Sequence, residues 1–114
     1  MCLFVFCVSA VDKVTLSAIE KLGATVSKVS QKSSELEVDF HLRGKELSDK
    51  DLPKISALKE VVTLHLGGTK ITSGGLVHLN TFLSLRRLHL ERTKVDDAGL
   101  AHLKGLSSLE YLNL

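Results

Sequence analysis

The sequence predicts an α/β solenoid, with short parallel strands on its concave side and short helices on its convex side. Three observations lead there. Residues 61–84, VVTLHLGGTKITSGGLVHLNTFLS, align without a gap over residues 85–108, LRRLHLERTKVDDAGLAHLKGLSS, giving a period of 24 residues. A fixed period between about 20 and 50 residues is the signature of stacked repeat units. Within each unit an L-x-L pair alternates as a strand does, while G-L-x-x-L sets its leucines three apart as a helix does. Finally, leucine carries the apolar content and rings are sparse, with one Tyr, four Phe and no Trp, which suits thin stacked layers.

Composition narrows the function. A chain of 114 residues is long enough for one core and too short for two. A net charge of +2 lacks the dense basic stripe of a nucleic-acid binder, so none is expected as a partner. No apolar run approaches the ~20 residues of a membrane span. Both cysteines, Cys2 and Cys7, fall in the first seven residues. The body therefore has neither a disulfide framework nor a cysteine-based zinc site.

In chain order, residues 1–11, MCLFVFCVSAV, form an apolar segment ending in small residues. It reads as a signal remnant, as a strand of the N-terminal cap, or as an apolar anchor; it lacks the basic start of a complete signal. Residues 12–36 are expected to form an N-terminal cap of helix and hairpin. TLSAIEKL (15–22) has Thr15 or Ser17 as N-cap, Ser17 and Glu20 at capping-box spacing, and Gly23 as its stop. ATVSKVS (24–30) and ELEVDFHL (35–42) alternate as two strands around the turn QKSS.

Residues 37–114 are expected to hold three coils and the strand of a fourth. In the first coil Phe40 and Leu42 align with Leu64 and Leu66, Leu47 with Ile71, Leu52 with Leu76, and Ile55 with Leu79. Ser48 and Thr72 are candidate N-caps, and Asp96 and Asp97 suit the positive end of a helix. Pro53 should make the first helix start late or irregularly. LEYLNL (109–114) ends in a strand, so self-association or further repeats are expected at that end.

The coils GTKITSGGLVHL (68–79) and RTKVDDAGLAHL (92–103) resemble leucine-rich repeats, of the bacterial subclass with GT-K-[IV]-T-D-A-G-L-A-H-L units. The resemblance covers residues 37–114. It implies a curved solenoid whose concave sheet binds another protein, with no catalytic residues and no cofactor, and it favours an extracytoplasmic location over a cytoplasmic one. Thr69 and Thr93 stand where many such repeats carry an inward Asn, so their hydroxyls are expected on loop backbone. Lys45 and Asp51 depart from the pattern at the Thr and Gly positions.

On the concave face, His41, His65 and His89 are expected to form a three-rung ladder, with rungs about 4.8 Å apart. A polar row is the leading reading, and a zinc site on the ladder is the lesser one. Flanking rows contain Asp39, Thr63, Arg87 and Tyr111 on one side, and Arg43, Gly67 and Glu91 on the other. Arg87 and Tyr111 are the expected anchors for a partner protein. His78 and His102 belong to the helix motif and read as packing. With no nucleophile elbow, phosphate loop or HExxH, no enzyme is expected. Two readings follow: a protein-binding scaffold, or a structural fragment of a longer repeat protein that supports or caps further coils.

Overall fold

Residues Lys13–Lys21 form helix α1, which buries Ile19 and rests Leu16 against the same core, joined by Leu22 just past its end. The computed structural model describes residues 13–32, 34–42, 44–58 and 60–114; the apolar segment 1–11 lies outside them. Because α1 starts at Lys13, Thr15 and Ser17 are inside it, and neither is the expected cap. Gly23 does end it. Its φ of +106° is one that glycine adopts at no steric cost, and its N–H donates to Glu20 O at 3.0 Å.

The expected hairpin follows. Strand β1 (Thr25–Lys28) pairs antiparallel with β2 (Leu36–Asp39), and Val29 N–H closes it on Glu35 O at 3.0 Å. Strands β3 (Val61–His65), β4 (Arg87–His89) and β5 (Tyr111–Asn113) add in order, giving a five-stranded α/β sheet that is parallel from β2 onward. Thr63 pairs with Arg87 and Arg87 with Tyr111; Leu64, Leu88 and Leu112 follow suit. Each step is 24 residues, matching the sequence period.

The first step differs. Val38 pairs with Leu64, Asp39 with His65, and Phe40 N–H donates to His65 O at 3.0 Å, so the offset is 26 residues. Six residues separate Phe40 from Leu47, whereas four separate Leu66 from Ile71. The two extra residues in the loop absorb the difference. Val38 and Phe40 therefore enter the core, and Leu42, expected beside Leu66, is 77% exposed.

The core lies between one face of the sheet and the helical connections. Leu52, Ile55 and Leu58, then Leu76, Leu79 and Phe82, are buried at every third position, as are Leu103 and Leu106. A spacing of three matches the 3-10 turn. Accordingly Ser73–Thr81 is a 3-10 helix, Asp49–Asp51 is a 3-10 turn before helix α2 (Leu52–Ile55), and helix α3 (Asp97–Leu100) runs into a 3-10 turn, Ala101–Leu103. Pro53 sits in the first turn of α2, where a missing N–H is tolerated. Asp51, at the expected glycine position, accepts Ser48 N–H at 3.1 Å. Burying one such leucine contributes about 2 kcal/mol.

Thr69 and Thr93 bond as expected, to Leu66 O at 2.7 Å and Leu90 O at 2.6 Å. Asp96 caps α3 through Ala98 N–H at 3.1 Å. Thr72 has an extended N-cap backbone but makes no side-chain cap bond; its hydroxyl donates to Asp49 instead.

Candidate functional site

The face of the sheet turned away from the core is built by strand alternation. With Leu64, Leu88 and Val38 inward, their neighbours point outward in two rows. One row is Glu37, Thr63, Arg87 and Tyr111, and the other is Asp39, His65, His89 and Asn113. A step beyond stand His41, Gly67 and Glu91. Arg43, also expected on this face, lies outside the described residues.

The expected three-histidine ladder has two rungs. Asp39, rather than His41, occupies the position beside His65, because of the two-residue shift in register. His41 is exposed in the following turn, where its N–H donates to Asp39 Oδ1 at 2.7 Å. Asp39 in turn moves out of the Thr63 row, and Glu37 takes that place. Sequence reasoning missed Glu37 and Asn113; counting alternation from Val38 instead of Phe40 finds the first.

His65 and His89 are stacked, with ring centroids 3.9 Å apart and planes 14° from parallel. Tyr111 continues the series at 5.3 Å from His89, tilted by 41°. Imidazole lone pairs lie in the ring plane, so stacked rings point their nitrogens side by side instead of converging on an ion. Among the described residues no group of three His, Cys, Asp or Glu side chains could hold a metal.

Glu91 closes one side of the pair. Its Oε2 lies 3.8 Å from His89 Nδ1, too far for a hydrogen bond. The oxygen is buried and has no hydrogen-bond partner among the described residues. Gly67 makes room for this carboxylate, since a Cβ there would stand 2.6 Å from Glu91 Oε1. Burial first, and then the neighbouring His65, hold the His89 imidazole below its ordinary range. Glu91 and Asp39 pull it upward, and Arg87 adds to the lowering.

Chemically the face offers hydrogen-bonding and charged groups around a ring series, with Arg87 and Tyr111 exposed. A separate cleft of about 490 Å³ lies between α1 and the loop before α2, lined by Glu20, Lys21, Glu46 and Asp51 among others. Two of its three acidic groups are engaged elsewhere, Glu46 by Lys70 Nζ at 2.7 Å and Asp51 by Ser48. No helix among the described residues is long and apolar enough to cross a membrane. No family model matches the chain, and no curated protein matches it.

Proposed function

We propose that the chain is a leucine-rich-repeat solenoid that binds another protein through the concave face of its sheet, without catalysis. The observation that carries this reading is the alignment of His65, His89 and Tyr111, with Arg87 beside them, by parallel strand pairing at a constant 24-residue step. Repeat arrays characteristically spend such a face on recognition, and exposed Tyr and Arg side chains make good interface anchors. The solenoid reading is supported by the contacts. Within the sheet and within the helical layer, the backbone of each element among the described residues approaches only the elements next to it in the series, as a one-dimensional stack requires, and the Glu35–Arg86 ion pair at 2.9 Å reaches across β3 at the side-chain level.

The test is site-directed photo-crosslinking in the source cell extract, with the reactive group at Glu37 or Asn113 on the face, or at Asn80 on the helical side. One defined protein is expected from the face positions only. R87A/Y111A should abolish that product while leaving the thermal midpoint unchanged. Equal labelling from Asn80, or labelling indifferent to R87A/Y111A, would exclude the face as the binding surface.

A further inference from the structure

We propose that His65 and His89 form a proton-operated switch on the open face of the sheet, in which a second positive charge on the pair breaks the ring stack and draws His89 onto Glu91. The geometry supplies both halves. Two neutral imidazoles, or one neutral and one charged, stack favourably at the observed 3.9 Å, the latter as a cation–π contact. Two imidazolium rings at that distance repel, and strand pairing on both sides prevents their backbones from separating. The side chains must therefore yield. His89 has somewhere to go: Glu91 Oε2 is buried, lacks a donor among the described residues and lies 3.8 Å from Nδ1. A small rotation of the charged ring converts that gap into a charge-assisted hydrogen bond.

Among the described residues, the groups facing the pair come from the strands and from the turns just after them. On β2 they are Glu37 and Asp39, with His41 in the turn beyond; on β4 and just after it they are Arg87 and Glu91; on β5 it is Tyr111. Among the described residues three carboxylates and one guanidinium give the face a net −2 with neutral imidazoles, and protonating both members of the pair brings that sum to zero. Burial and His65 hold the second proton off His89 until the pH falls below the ordinary histidine range. Once it binds, Tyr111 loses its ring neighbour. Both the charge and the shape of the face change together. The switch itself rests on the geometry of the free chain; its consequence for a partner rests on the binding role proposed above.

The experiment is a titration of the whole, isotope-labelled chain by NMR, following the ring protons of His65, His89 and Tyr111 and the Glu91 carboxyl carbon. His89 is expected to titrate below 6.5, the ordinary imidazole value, with Tyr111 and Glu91 moving in the same step. H65N should raise the His89 midpoint by removing the like charge, and E91Q should lower it by removing the acceptor. A His89 midpoint at or above 6.5, or one indifferent to both substitutions, overturns the switch. Should either variant fail to fold, the unsubstituted chain still decides: a Tyr111 ring that ignores the His89 step means that the stack does not open. A switch that behaves as stated on a face that captures no protein supports this inference and overturns the binding role instead.

Discussion

Asp49 holds Thr72, 23 residues along the chain and one connecting segment away. Its Oδ1 accepts Thr72 N–H at 2.8 Å, and its other oxygen accepts the Thr72 hydroxyl. The same carboxylate fills the space beside Gly75, where a Cβ would stand 2.6 Å from Asp49 Cγ. Ser73 and Asp96 repeat the arrangement, bonded at 2.6 Å, with the Ser73 side chain where a Cβ on Gly99 would go. The glycine of each G-L motif thus serves the polar side chain of the unit before it.

This coupling is measurable. G75A alone should cost about 1–3 kcal/mol through overpacking, and D49A about 1 kcal/mol through the lost hydrogen bonds. In D49A/G75A the new methyl group enters the space Asp49 vacated, so the combined loss falls short of the sum. Urea midpoints of the four proteins give the coupling directly. Strict additivity would show that Asp49 does not occupy that space in solution.

The corrected register makes its own prediction. Val38 is fully buried and Leu42 is 77% exposed, although a 24-residue alignment places Leu42 inside. V38D should unfold the chain, because an unpaired buried carboxylate is costly, whereas L42D should leave the circular dichroism melting curve unchanged. L88D, between Leu64 and Leu112, should behave as V38D does.

These two positions also mark what was legible in the sequence. From Val61 to Ser108 the units repeat without insertion, so the inward leucines, the bonded threonines and the His65–His89 neighbourhood follow from spacing. Between Phe40 and Leu47 two added residues sit in a loop. The segment VDFHL then fits the L-x-L pattern equally well starting from Val38 or from Phe40. Hydrophobicity alone could not choose; the strand partners did, and with them went the third histidine rung. The Asp49–Thr72 bond was hidden for another reason, since its partners belong to adjacent units and show no local signature.

Acid should weaken the fold in two steps. His89 is held below its ordinary pKa when folded, chiefly by burial, so the unfolded chain takes up that proton first. Stability is therefore intact above 6.5, falls as the pH drops below it, and levels off past the folded value. Asp96 is held below its ordinary 3.8, first by the Ser73 hydrogen bond and further by backbone donors. Its contribution is present above 3.8 and is lost as the pH falls through the folded value. Urea unfolding across pH should show both steps, with H89N removing the upper and S73A shrinking the lower. An upper step that survives H89N would assign it to another group.

Backbone strain is concentrated at Arg92, whose φ is +60°, whereas Gly68, one period earlier, holds +74°. A side chain in this region costs about 1–2 kcal/mol, offset by about 0.4–1 kcal/mol of extra unfolded-state entropy when glycine replaces it. R92G should therefore raise the urea midpoint slightly, and G68A should lower it. Glycine at 92 proving destabilising would show that the Arg92 side chain makes contacts outweighing the strain.

Deleting one whole unit tests the proposed stack most severely. Removing residues 61–84 joins Glu60 to Leu85, and Leu85, Leu88 and Leu90 then take the places of Val61, Leu64 and Leu66, all six of which are buried. In a stack of nearest neighbours such a chain should still unfold cooperatively, with stability reduced by one interface. One contact would be wrong, however. The deletion sets Asp49 against Asp96, which aligns with Thr72, and so places two carboxylates where a carboxylate and a hydroxyl now bond. At neutral pH the shortened chain should be less stable than the loss of an interface alone implies, and D96T should restore the difference. The advantage of D96T should fade in mild acid as the paired carboxylates take up a proton. A shortened chain with no cooperative transition, even with D96T, would mean that the units are not interchangeable and that the sheet folds as one indivisible core.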